Sequence, residues 1–262
     1  MLLAIDVGNT NVVVGVFIGD ELKASWRVQT ERRRMPDEWG LMFLTLLEHR
    51  GINPKEVHSV VISSVVPPLT NALVEMAETY FKDKALVVEP GIKTGVAVRY
   101  ENPREVGADR IVNAVAAFHY YGGPAVVIDF GTATTFDALS ANGEYLGGAI
   151  APGIGIAAEA LFQLASRLYR VELIPPANAI GKNTTASMQS GIMYGYIGLV
   201  EGLVRRFRTE LEELYNPNET RVKVIATGGL AEIVSDGAPG VIDVVDQDLT
   251  LQGLRLIHEL NN

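Results

Sequence analysis

The chain has 262 residues, 48% of them hydrophobic and 20% charged, enough for a sizeable core divided over two modest lobes and too apolar for a disordered chain. A net charge of −9 argues against a nucleic-acid-binding surface, and the single basic run, Arg32-Arg33-Arg34, reads as a solvated loop. The absence of cysteine excludes disulfides and thiolate metal sites, no apolar run reaches membrane-spanning length, and the N-terminal apolar run lacks a basic lead and is broken by Asp6, so a cytoplasmic protein without nucleic-acid or membrane partners is expected.

In chain order, two β-rich runs, Leu2 to Ile5 and Asn11 to Phe17, flank a short polar break and read as a hairpin, with Leu22 to Val28 as a third strand. Gly8 in the turn permits a positive φ or close backbone approach to a ligand. Asn9 and Thr10 place short donors beside exposed N–H groups, a suitable cradle for phosphate. A carboxylate at Asp6 would repel phosphate unless a cation stood between them, which points to Mg²⁺, held directly or through water. An ordinary hairpin would use the same turn residues. Pro36 to Arg50 then has helical spacing and stops at Gly51, Val57 to Val66 is a buried strand, and Pro67-Pro68 opens a helix over Leu69 to Phe81. Ala85 to Val88 is a short strand, Gly91 to Tyr100 an irregular link, and Pro103 to Tyr121 a long predicted helix closed by Gly122-Gly123.

A second copy of the opening pattern comes next. Ile5-Asp6-Val7-Gly8-Asn9-Thr10 aligns with Ile128-Asp129-Phe130-Gly131-Thr132-Ala133 at an offset of 123, and Glu144 to Ile150 supplies the matching third strand. Arg221 to Ala226 is the counterpart of the strand at Val60 to Ser64. Asp6 to Ile62 spans 56 positions and Asp129 to Ile225 spans 96, so the second copy carries about 40 additional residues, expected at about 152–190. That stretch includes a predicted helix from Ile156 to Leu168; Ala186 to Leu214 is mostly helical, and a strand at Val241 to Val245 and a helix at Leu249 to Leu260 close the chain. The expected architecture is α/β: two ribonuclease-H-like lobes, 1–122 (with the linking helix) and 123–262, from a duplicated βββαβαβα unit whose second copy is enlarged by a helical insertion. The two turns are expected to face one nucleotide.

Paired hairpins of this kind resemble those of the superfamily of actin, sugar kinases and Hsp70-type ATPases. Within it, Asp-Val-Gly-Asn-Thr at 6–10, Gly-Ala-Asp-Arg at 107–110 and Asp-Phe-Gly-Thr-Ala-Thr at 129–134 resemble the type III pantothenate kinases, and the resemblance covers essentially the whole chain. It implies ATP-dependent phosphorylation of pantothenate to 4'-phosphopantothenate, the first step of coenzyme A biosynthesis, by a homodimer with its pantothenate pocket near the subunit interface. Carried over residue by residue, it assigns ATP to Asp6, Val7, Gly8, Asn9, Thr10, Asn11, Val12, Val13, Thr132, Gly228 and Gly229. It assigns pantothenate to Tyr100, Gly107, Ala108, Asp109, Arg110 and Thr184, with Asp109 as the base. Asp129 is implied to hold a monovalent cation, K⁺ or NH₄⁺, and Asp6 to hold Mg²⁺.

The residues read by themselves leave alternatives open. Asp109 and Arg110 are adjacent on a predicted helix and point about 100° apart, so they suit two parts of a third molecule better than each other, though two solvated helix charges would look the same. Gly107 lies inside that helical pattern, where glycine costs about 1 kcal/mol against alanine and so implies close packing or a kink. Gly228-Gly229 follows a strand and can lie against a flat ligand or simply turn into a helix. Tyr100 can be a buried aromatic at a loop edge, and Thr184 a helix N-cap. Gly153-Ile154-Gly155-Ile156-Ala157-Ala158 fits a dinucleotide pattern without its βαβ setting, and Gly181-Lys182-Asn183-Thr184 is not a P-loop. No nucleophile elbow occurs, and the four histidines have no metal spacing. Two apolar strips suit either a dimer or a monomer in which they pack on their own lobe: Leu161, Phe162, Leu164, Leu168 and Tyr169, and then Met188, Ile192, Met193, Tyr196 and Leu199 interleaved with Gly191, Gly195 and Gly198. Against the kinase stand another phosphotransferase or phosphatase of the superfamily and a non-catalytic ATP-binding regulator.

Overall fold

The structure, a computed structural model, describes residues 1–215 and 221–262. It divides into two units, Met1–Ala116 with Asp248–Asn262, and Ala117–Gln247. In the first unit, β1 (Leu2–Val7), β2 (Asn11–Ile18) and β3 (Glu21–Gln29) form an antiparallel meander, followed by α1 (Pro36–His49), β4 (Ser59–Ser64), α2 (Pro67–Met76) with a π-helical turn at Ala77–Phe81, and β5 (Leu86–Val87). The sheet order is β3-β2-β1-β4-β5, with β4 and β5 parallel to β1. Period-2 alternation puts Leu3, Ile5, Val7, Val60 and Ile62 on one face, where they meet Trp39, Phe43 and Leu47 of α1 and Leu69, Leu73 and Met76 of α2. Pro36 opens α1 at a position that needs no N–H, and the Glu38 carboxylate accepts the N–H of Met35 at 2.8 Å.

The link after β5 leads through a 3₁₀ turn at Pro103–Glu105 to α3 (Ala108–Tyr121). The expected single helix over Pro103 to Tyr121 is therefore broken, and Gly107 stands just before the helix rather than inside it. The second unit repeats the plan with β6 (Ala125–Phe130), β7 (Ala133–Leu139), β8 (Tyr145–Pro152), α4 (Ile154–Leu164), α5 (Thr184–Tyr215), β9 (Lys223–Thr227), α6 (Ala231–Gly237) and β10 (Val244–Val245). Its sheet order, β8-β7-β6-β9-β10, is that of the first unit. The strand partner of Asp6 is Ser63, 57 positions on, and that of Asp129 is Thr227, 98 positions on. The additional length is shared between α4 with the irregular stretch 165–183 and α5 itself, which has 32 residues against the 14 of α1.

The final helix, α7 (Leu249–Asn261), groups with the first unit, whereas the division drawn from the sequence left it in the second lobe. Its packing explains why. Gly253 lies so close to the Val112 carbonyl of α3 that no Cβ would fit, and Leu251 sits over Gly15 of β2. Arg255, buried on the same helix, pairs with Asp20 at 3.0 Å and with Glu259.

Candidate active site

The β1–β2 turn is held from two sides. Gly8 N–H donates to Asn11 O at 3.0 Å, Thr30 N–H to Thr10 O at 2.9 Å, and Thr30 Oγ1 to Gly8 O at 2.7 Å. A Cβ at Gly8 would stand 3.1 Å from Asn11 O, so close approach, rather than a left-handed φ, is what calls for glycine there. The side chains of Val7 and Val12 belong to the core, while Asn9 and Thr10 are exposed and Asp6, Asn11 and Val13 half-buried. Ser63, beside Asp6 in the parallel register, is fully buried, and among the described residues its Oγ has no hydrogen-bond partner.

The basic run next to this turn is a largely exposed loop, as expected, but its side chains are not all without neighbours. Arg32 donates from Nη2 to Asn9 Oδ1 at 3.2 Å, Arg33 is exposed, and Arg34 lies 4.6 Å from the centre of the Trp39 ring. Two of the three arginines therefore have specific neighbours.

The Gly107-Ala108-Asp109-Arg110 segment reaches the same end of the first unit's sheet. Val65 donates its N–H to Val7 O at 3.1 Å, and a Cβ at Gly107 would stand 3.8 Å from the Val65 side chain. The Gly107 carbonyl accepts the first N–H groups of α3, from Arg110 at 3.2 Å and Ile111 at 3.4 Å. A side chain at 107 would lie 2.5 Å from Asp109 Oδ1, so glycine preserves the space of that carboxylate. Asp109 Oδ1 accepts the N–H of Arg110 at 2.8 Å. Burial pushes the Asp109 carboxyl above its ordinary value, against the opposing pull of that N–H and of the Arg110 charge. Arg110 is itself only 7% exposed, so the pair is not two solvated helix charges. Tyr100 lies in the irregular link and is 37% exposed, which removes the reading as a buried aromatic.

In the second unit the turn is one residue tighter. Gly131 N–H donates to Ala133 O at 3.1 Å, and Gly153 N–H donates to Thr132 O at 3.1 Å, as Thr30 does to Thr10. Thr132 therefore corresponds to Thr10, and Asn9 is the extra residue of the first turn; the constant offset of 123 holds only up to the glycine. Gly153, set aside in the sequence as part of a chance pattern, is the N-cap of α4 and packs against the carbonyls of Gly131 and Thr132. Gly228 has φ +93, and a Cβ there would lie 2.7 Å from both Asp129 Oδ1 and the N of Phe130. Its bare backbone therefore lies directly against Asp129, while Gly229 is exposed. Thr184 is the first residue of α5 and exposed; the cap is Asn183, whose Oδ1 accepts the N–H of Ala186 at 2.8 Å. That leaves the Thr184 hydroxyl outside the capping bond.

Among the described residues, no group of three or more His, Cys, Asp or Glu side chains could hold a metal, and no helix is long and apolar enough to cross a membrane. Single carboxylates at the turn ends suit hard cations whose remaining ligands are water, phosphate or backbone oxygens.

Comparison with known proteins decides the family. A model of the type III pantothenate kinases matches residues 2–206, and a type III pantothenate kinase from Moorella thermoacetica is 56% identical over 261 residues, covering all of both chains. The chain belongs to the type III pantothenate kinase family. It is accordingly an ATP-dependent phosphotransferase acting on pantothenate. Solved structures of lower identity share the fold. A protein from Campylobacter jejuni, described as a conserved candidate Baf family transcriptional activator, is 20% identical with a TM-score of 0.61 over 99% of this chain and 98% of its own. The activator of the 2-hydroxyisocaproyl-CoA dehydratase from Clostridium difficile is 11% identical with a TM-score of 0.52 over 99% and 95%.

Proposed function

We propose that Asp109 is the general base of this kinase and that its placement at the start of α3 is the observation that carries the assignment. The hydroxyl oxygen of pantothenate attacks the γ-phosphorus of ATP, its proton passes to Asp109, and the bond from that phosphorus to the β–γ bridging oxygen breaks to release ADP. Gly107, Ala108 and Arg110 flank the base and, with Tyr100 and Thr184, are assigned to pantothenate, Arg110 to its anionic end. Asp6 to Val13, Thr132, Gly228 and Gly229 are assigned to ATP.

The donor sets suit the two cations the family resemblance implies. Asp6, beside the phosphate-cradling turn, would hold Mg²⁺ directly or through water, and Asp129, against the Gly228 backbone, would hold K⁺ or NH₄⁺. Bound there, they would supply positive charge that offsets the charge on the phosphates. The chain's own contribution is to orient the hydroxyl and accept its proton. The setting consistent with ATP supply and a cysteine-free chain is cytoplasmic.

A homodimer is the assembly we assign. Leu161, Leu164 and Tyr169 are 42%, 85% and 49% exposed. On α5, among the described residues and apart from the helix's own adjoining backbone, nothing lies within 4 Å of a Cβ built at Gly191, Gly195 or Gly198, an open stripe that admits close approach of another helix. Met188, Ile192, Met193 and Tyr196, by contrast, are used by the core of their own unit.

ADP release from pantothenate and ATP tests the assignment. Asp109→Asn should fold and bind Mg-ATP yet lose roughly a hundredfold or more in kcat, since the amide cannot take the proton. Retention of a tenth of wild-type kcat would exclude Asp109 as the base. In the same assay, equal rates in K⁺ and in a bulky organic cation at matched ionic strength would exclude the cation at Asp129.

A further inference from the structure

The two units resemble one another closely enough that their differences are informative. In both, the third strand leaves the sheet beside the turn through the same backbone bond, Thr30 N–H to Thr10 O and Gly153 N–H to Thr132 O. Beyond that bond the two units diverge. In the second unit the chain enters the amino end of α4, an 11-residue helix whose first turn presents positive partial charge. In the first unit no helix begins there, and two residues beyond Thr30 comes Arg32, its guanidinium on Asn9 of the turn. Asn9 is also the residue by which the first turn exceeds the second. Just past this bond, each unit thus carries a positive group near its turn, supplied by different means.

The contact to Asn9 occupies one of the five N–H donors of a guanidinium. Arg32 is exposed, so burial does not explain its charge, and it sits in a chain of net charge −9 at the turn whose Asn9 and Thr10 are also exposed. A rigid, always charged fork beside an exposed, glycine-bearing turn is suited to the non-bridging oxygens of a phosphate chain.

We propose that Arg32 is a nucleotide-binding residue that contacts the phosphate chain at the Gly8–Asn11 turn; this rests on the reading that the turn binds ATP. The role is one of charge and geometry toward phosphate, with Asn9 orienting the fork. Adenosine, which has no phosphate, does not use it.

Five variants of the 262-residue chain decide the matter, with affinities for ATP, ADP and adenosine measured by calorimetry alongside steady-state kinetics. Arg32→Ala should weaken ATP and ADP by about tenfold or more, as loss of a charge-assisted contact does. Adenosine affinity, the KM for pantothenate and the melting temperature should stay at their wild-type values. Arg32→Lys, which keeps the charge but not the fork, should recover part of the loss. Arg32→Gln, which keeps a donor for Asn9 without charge, should remain as weak as Arg32→Ala. Arg33→Ala removes the same charge from the exposed neighbour and should match wild type. ATP affinity unchanged in Arg32→Ala overturns the proposal. So does rescue by Gln but not Lys, or a parallel loss of adenosine, either of which makes Arg32 a support for the turn. Asp6→Ala separates the two levels: if it leaves Mg-ATP affinity intact, the reading of the turn fails and Arg32 with it. Loss in Asp6→Ala with none in Arg32→Ala overturns the arginine alone.

Discussion

Asp109 meets two opposed demands. In the proposed role of base it must be ionised to accept a proton, yet burial favours its neutral form, and the Arg110 N–H and charge only partly offset that. Because burial wins, the acid limb of kcat/KM should fall at a pH above the usual carboxylate range; a limb at the ordinary value would show that another group controls it. The same shift has a consequence for stability. A carboxyl whose folded pKa is raised stabilises the fold fully only below its unfolded pKa, and that contribution is lost as pH rises through the folded value. At neutral pH the ionised Asp109 is therefore a cost, so Asp109→Asn should melt at or above wild type at pH 7, with the difference narrowing on acidification. Thermal melts at the two pH values check this. Among individual residues, Asp6, Gly8, Asp109 and Asp129 stand out in the sequence because each sits in a short local motif. Arg32 does not, because its bond to Asn9 joins residues 23 apart, and a run of three arginines reads locally as a solvated loop. Ser63 is hidden for the same reason: its place beside Asp6 exists only in the parallel pairing of β1 with β4.

Elements formed largely where periodicity put them, and the departures occur where backbone or tertiary contacts intervene. The apolar spacing from Pro103 to Tyr121 continues across a point where the helix has not yet begun. Asn102 Oδ1 caps the 3₁₀ turn by accepting from Arg104 N–H at 3.3 Å, and α3 starts afresh at Ala108. The second departure is α7, whose place depends on a glycine. Gly253 faces the Val112 carbonyl, a backbone atom that cannot rotate away as a side-chain tip could. Gly253→Ala should therefore lower unfolding stability by about 2–3 kcal/mol, the cost of overpacking a tight contact, despite the better helix propensity of alanine. Urea denaturation measures it; a variant as stable as wild type would mean that α7 shifts freely on the first unit.

Leu161, Leu164 and Tyr169 expose apolar surface on and just after α4, whereas the apolar face of α5 is already used within its own unit. Light scattering at micromolar concentration should give a particle of twice 28.3 kDa. Leu164→Lys, at an 85% exposed position, should shift it toward the single chain without lowering the stability of the unit that carries it. A fully active single chain would remove both the dimer and the pocket near its interface.

The duplicated plan was legible in the sequence because alternation of period 2, helical spacing and an Asp–Gly turn are properties of neighbouring residues. They yield two like sheets, the enlarged second copy and the motifs that mark the family. Three matters were settled only by tertiary structure. The grouping of α7 with the first unit depends on a glycine meeting a carbonyl from another helix. The true correspondence of the turns, with Asn9 as the extra residue, depends on which carbonyl each third strand bonds, and a fixed offset cannot count a one-residue difference in turn length. The contact of Arg32 with Asn9 and the place of Ser63 beside Asp6 depend on segments distant in the chain, for which no local pattern exists.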